Sequence, residues 1–184
     1  MRATEILKQE HTVIQRVLDT LEKGANRLEQ GQDVRPGFFI EVTDFIKGFT
    51  DGCHHKKEEG VLFKALEEKG VPVAGGPIGV MLTEHEMGRQ YTRVLRAAAQ
   101  RMESGDTSAR EQVLVNARGY AALLRQHIFK EDNILFPLAD RVFMEEEQAH
   151  LSEGFEHVEH EETGEGVHEK YQALAEALEK EMRG

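Results

Sequence analysis

The chain has 184 residues, enough for one domain with a sizeable core. Its formal net charge of −11 argues against nucleic acid and anionic membrane as partners, because both call for a basic face. Charged residues are abundant, aromatics are few and tryptophan is absent, while long stretches are rich in Ala, Glu, Lys, Leu and Arg, which favours helix over strand. The single cysteine, Cys53, excludes an internal disulfide and argues against a cysteine-based zinc or iron–sulfur site. Met1–Leu7 lacks the apolar core of a signal peptide, and no apolar run approaches the ~20 residues of a membrane span. A soluble, cytoplasmic protein is the expectation.

In chain order, Thr4 reads as the N-cap of a first helix. Its inward stripe is Leu7, His11, Ile14, Leu18, Leu21, Ala25 and Leu28, and Gly31 closes it. His11 falls where a Leu would be expected. Pro36 suits the first turn of a second helix that carries Phe39, Val42, Ile46 and Phe49 and runs to about Lys69. Val71–Pro77 reads as a loop. A third helix lines up Ile78, Met81, His85, Gly88, Thr92, Leu95, Ala99 and Met102, again with an inward histidine, and Ser104-Gly105-Asp106 turns the chain. The fourth helix presents Val113, Ala117, Tyr120, Leu124, His127, Glu131, Ile134, Leu138 and Val142, with Pro137 expected to kink its end. Two shorter helical patterns follow, Leu151/Phe155/Val158 and Val167/Tyr171/Leu174/Leu178. The expected fold is all-α: an antiparallel up-and-down four-helix bundle over residues 1–145, with a C-terminal accessory helical segment, 146–184, packed on it.

An internal repeat supports this layout. His54–Phe63 aligns with His127–Phe136, sharing the His, Lys, Glu, Leu and Phe positions. The second and fourth helices are thus related halves. One detail breaks an ideal helix: counted back from His54, the stripe of Phe49, Ile46 and Val42 is off by one residue. A π-bulge near Asp51–Cys53 would insert the missing residue, and Gly52 marks a kink as the alternative.

His-x-x-x-Glu places an imidazole and a carboxylate one turn apart on one helix face. The chain supplies this pair twice, as His54/Glu58 and His127/Glu131, and adds the inward His11 and His85. One inward histidine is ordinarily a core side chain bonded to a neighbour. Four of them with two carboxylates in one core are costly unless a metal compensates all together. Imidazole with carboxylate suits iron, manganese or zinc.

The order His, His-x-x-x-Glu, His, His-x-x-x-Glu resembles that of hemerythrin-like, or HHE cation-binding, proteins. Cys53–Glu59, Gly76–Met81, Glu84-His85-Glu86 and Gly166–Tyr171 look like bacterial members, so the resemblance covers nearly the whole chain. It implies a di-iron site with His11, His54, His85 and His127 as terminal ligands. Glu58 and Glu131 would bridge the irons beside an oxo, hydroxo or water bridge. Oxygen-carrying hemerythrin has a second histidine one turn along the third helix. Here Arg89 stands one turn after His85, which argues against reversible oxygen carriage and for reaction with oxygen, nitric oxide or peroxide. Arg89 is expected to pair with an acidic residue such as Glu58, Glu86 or Glu131, or to lean outward at the mouth of the site.

His55 and Glu59 are read as neighbours that orient the ligands or as partly exposed polar residues. Tyr120 lies two turns before His127 and reads as a hydrogen-bonding residue near the metals or a core tyrosine, and His168 as a tail residue that reaches the site or caps a helix. His150, His157 and His160 lie among glutamates and read as solvated, and Cys53 as a small buried residue. Three functions compete: a di-iron protein that binds, senses or reacts with small oxidants; an iron storage, delivery or iron–sulfur cluster repair protein; and a structural or regulatory module locked by its metal.

Overall fold

A computed structural model describes residues 1–183, in which every regular element is a helix and there is no strand. The last residue of the expected tail, Gly184, lies outside the described residues. Six helices follow one another. The first is Ala3–Glu29, the second covers residues 36–68, the third is Pro77–Glu103, the fourth covers 107–142, the fifth 145–164 and the sixth is Val167–Arg183.

The first helix begins two residues earlier than expected. Its cap is Arg2, whose backbone N–H donates to the Glu5 carboxylate at 2.9 Å. Thr4 is instead a buried residue of the first turn, and its hydroxyl donates to Asp140 at 2.7 Å. At the other end Gly31 takes φ 73°, which lets the Gln32 N–H reach back to the Arg27 carbonyl at 2.9 Å. A side chain would resist that left-handed conformation.

The second helix explains the phase break. Widened i→i+5 turns run from Ile46 to His55, longer than the single turn expected at Asp51–Cys53. Two more such segments, Glu58–Leu62 and Glu131–Leu135, occupy matching places in the two repeats and were not legible as α-helical periodicity. The last one shifts the end of the fourth helix. Ile134, expected inside, is 57% exposed, and Leu135, Phe136 and Ala139 take the core positions.

The third helix packs along the second and fourth, and the fourth also along the first. The sixth lies on the first and second, tied down by a bidentate Arg16–Glu179 pair at 2.7 and 3.0 Å. Its Tyr171 ring presses so closely on Gly48 that a Cβ there would fall 1.9 Å from it.

The core is divided into two apolar clusters. One includes Ile14, Leu18, Phe45, Phe49, Leu95, Tyr120 and Leu124; the other includes Leu7, Leu62, Phe63, Met81, Leu135 and Phe136. Each fully buried Leu, Ile or Phe contributes about 1.5–3 kcal/mol. In sequence, each of the first four helices passes from one cluster to the other through a histidine or glutamate. The fold therefore carries a polar layer enclosed by hydrocarbon.

Candidate metal centre

His11, His54, His85, His127, Glu58 and Glu131, all expected from the sequence, meet in this layer, none more than 1% exposed. Glu58 places Oε1 3.4 Å from His54 Nε2 and Oε2 3.4 Å from His85 Nε2. Glu131 places Oε2 3.2 Å from His11 Nε2 and Oε1 3.2 Å from His127 Nε2. Each carboxylate thus turns one oxygen toward the His11/His54 side and the other toward the His85/His127 side. Donor atoms of His11, His54, Glu58 and Glu131 lie within 4.8 Å of one another, and so do those of His55, Glu58, His85 and His127. Glu58 belongs to both groups.

The outer nitrogens of His11, His54, His85 and His127 are each held by a carboxylate on a neighbouring helix. Glu10 accepts from His54 Nδ1 at 2.9 Å, Glu59 from His85 at 2.7 Å, Glu84 from His127 at 2.9 Å and Asp132 from His11 at 2.9 Å. The chain of partners closes on itself: first helix to second, second to third, third to fourth, fourth to first. Each of these carboxylates directly precedes or follows a residue of the central layer. Because a carboxylate only accepts, Nδ1 carries a proton in each ring, and Nε2 is the inward nitrogen left to hold a proton or a cation.

The residues fit a metal. All four oxygens of Glu58 and Glu131 are buried without a hydrogen-bond partner. Such a carboxylate pair is unfavourable in hydrocarbon unless cations compensate it. The Nε2 atoms of His85 and His127 are 3.0 Å apart, a spacing that needs a proton or a cation between two lone pairs. Burial lowers the His11 pKa, but Asp132 and Glu131 outweigh it and raise it to about 9. Burial likewise opposes protonation of His127, and the Glu131 charge raises it to about 10. Burial pushes the Glu131 pKa up, yet the His127 charge holds it well below the usual carboxylate range. In the metal-free protein, protons on imidazoles therefore stand where cationic charge is wanted.

Glu59 orients His85, one of its two expected roles, and also accepts from Arg89 at 2.6 Å. Arg89 turns away from Glu58 and Glu131. Besides Glu59 it faces Asp51 at 3.6 Å and, of its expected partners, only Glu86 at 3.9 Å. It lines an open groove of about 500 Å³ with Asp51, Lys47 and Arg93. Tyr120 is buried beside Gly88 and joins neither donor group. His168 stacks on Phe49 and stops at Glu10, 3.8 Å from its carboxylate, so it reaches a partner of His54 and not the donors themselves. His150 and His157 are exposed beside Glu153 and Glu162, and His160 is exposed. Burial pushes the Cys53 thiol up to about 12, as befits an inert core residue.

Of the two readings of His55, the exposed one fails: the ring is buried and belongs to one donor group. One feature was missed by sequence reasoning. Lys57 has no exposed side-chain surface and pairs with Glu10 and Glu159, bracing the partner of His54. A lysine among charged residues reads as solvated, so only the widened turns before it signalled the rotation.

Fold and site together define an all-helical protein with a buried histidine–carboxylate cluster able to hold metal. Comparison with known proteins agrees. A family model described as the hemerythrin HHE cation-binding domain matches residues 2–139, and the chain belongs to that family. It is 29% identical over 163 residues to an uncharacterized protein of Mycobacterium tuberculosis, covering 89% of this chain and 63% of the relative. It is 30% identical over 128 residues to the iron-sulfur cluster repair protein YtfE of Dickeya chrysanthemi, covering 67% of this chain and 58% of that protein. The match to YtfE of Yersinia pseudotuberculosis is 28% over 123 residues, 64% of this chain and 55% of the relative. The chain thus spans less than two thirds of the length of these relatives. No helix among the described residues is long and apolar enough to cross a membrane.

Proposed function

We propose that the chain is a non-haem di-iron protein that binds, senses or reacts with oxygen, nitric oxide or peroxide. His11 and His54 would hold one iron, His85 and His127 the other, and Glu58 and Glu131 would bridge them. The frame would be an up-and-down four-helix bundle, residues 1–145, with 146–184 as its accessory segment, working in the cytoplasm. The observation that carries this reading is the pair of buried carboxylates with four unpartnered oxygens, each spanning two imidazoles from opposite sides.

Bound iron would supply one-electron redox chemistry and coordination positions for a small ligand; the same donor set also accepts zinc or manganese. The protein's share is binding, orientation and exclusion of water. The four carboxylate–histidine contacts lock the rings of His11, His54, His85 and His127, and Phe136 and Phe63 cover His11 and His85 with ring centroids 5.4 and 5.9 Å apart.

The experiment is stopped-flow mixing of the reduced, iron-loaded protein with oxygen, nitric oxide and peroxide. Turnover supports an enzyme and a stable adduct supports a sensor. Inertness toward all three would contradict the reading and favour a module locked by its metal. A second reading, iron delivery to or repair of iron–sulfur clusters, is favoured by the likeness to the YtfE proteins. It predicts transfer of iron to a damaged cluster protein in vitro.

A further inference from the structure

Resting on the dinuclear reading, we propose that His55 is a metal ligand, the third imidazole on the His85/His127 side, supplied by the second helix where the third helix offers Arg89. Three observations carry it. A ring nitrogen of His55 lies within 4.8 Å of donor atoms of Glu58, His85 and His127, so the ring joins one cluster and not the other. Its Nδ1 donates to Asp51 at 2.9 Å, the same carboxylate support that His11, His54, His85 and His127 each have, and this leaves Nε2 as the free donor. Its ring stacks on His85 with centroids 3.8 Å apart and 17° between planes, and it stands edge-on to His127 at 5.8 Å.

Adjacent residues on an α-helix diverge by about 100°, so His54 and His55 would not ordinarily both face one core. The widened turns of Ile46–His55 end on this pair, and both rings are buried. His54 then serves the His11 side and His55 the other. Arg89 has a complementary task. It faces Asp51 and Glu59, the two carboxylates that support His55 and His85, and so braces both rings from the position where an imidazole is missing.

The consequence is an uneven site. With the two carboxylates shared, one metal has three imidazoles and the other, at His11 and His54, has two.

The test is a ligand count on the cobalt(II)-loaded full chain. Each coordinated imidazole contributes one exchangeable, hyperfine-shifted N–H signal in the proton NMR spectrum. Five such signals are expected in the wild type and four in His55→Asn, with the other four retained. Titration against a chromophoric chelator gives the affinities. His55→Asn should weaken one of two cobalt sites by more than about 100-fold, while Asp51→Asn, which removes only support, should weaken it by roughly 10–100-fold. Matching circular dichroism and denaturation midpoints of the metal-free variants separate ligand loss from misfolding; if His55→Asn does not fold, the signal count in wild type and Asp51→Asn decides. Four signals in the wild type, or two cobalt sites of unchanged affinity in His55→Asn, would overturn the proposal while leaving the dinuclear reading intact. A wild type that binds fewer than two cobalt ions would overturn both.

Discussion

Glu58 is positioned to cost stability and return it only through metal. It has no exposed surface, neither oxygen has a hydrogen-bond partner, and its nearest polar neighbours are imidazole nitrogens at 3.4 Å. In the metal-free protein, Glu58→Met replaces a buried carboxylate without hydrogen-bond partners by an apolar side chain of similar length. Exchanging buried ionic groups for packed apolar ones is commonly neutral to ~1–4 kcal/mol stabilising. A gain of about 2 kcal/mol is expected here, or roughly 4–8 °C in Tm for a chain of this size. With metal the order reverses. Wild type gains about 2.7 kcal/mol per site at a hundredfold excess over Kd, and the variant loses most of that gain. Chemical and thermal denaturation of both proteins, in chelator and in anaerobic iron(II), measures the crossover. A metal-free Glu58→Met less stable than metal-free wild type by ~2 kcal/mol, or a variant still stabilised normally by iron, would refute the reasoning.

Further outcomes follow from the same layer and its support. Glu58→Ala and Glu131→Ala should each lose more metal than Glu59→Ala or Asp132→Ala, because the latter two only hold His85 and His11; elemental analysis after dialysis ranks them, and a reversed ranking would mean the ligand register is wrong. Lys57→Met strands the buried Glu10 and should cost ~3–5 kcal/mol, with Glu10→Gln restoring much of it in the double variant, as read by urea denaturation. Gly48→Ala sets a Cβ 1.9 Å from Tyr171 and should cost ~1–3 kcal/mol, less in a Tyr171→Ala background. His11 and His127 titrate at about 9 and about 10 in the folded metal-free protein, above the unfolded histidine value. Their stabilisation is therefore complete below about pH 6.5 and is lost as pH rises through 9 to 10, so metal-free stability should fall over that window while metal-loaded protein stays flatter.

Much of this was readable in the chain. Inward stripes interrupted by His11, His85 and the two His-x-x-x-Glu pairs located all four histidines and both glutamates, because 3.6-residue periodicity assigns a face to each. The off-phase stripe before His54 even located a wider turn. The same reasoning failed where the period itself changes. The widened segment at Glu131–Leu135 exposes Ile134 and buries Leu135, and no phase break precedes it to give warning. The burial of His55 was left open for the related reason that its neighbour already occupied the inward position. The closed ring of Glu10, Glu59, Glu84 and Asp132 was hidden because a carboxylate beside a core residue looks like a solvated boundary until the neighbouring helix is placed against it.

The central claim, a dinuclear site inside the polar layer, is tested most directly by counting metal. Protein loaded anaerobically with iron(II), desalted and assayed for iron and protein together should contain two irons per chain, with Mössbauer spectra of the oxidised form showing a coupled pair. One iron per chain, or none retained, would contradict the account.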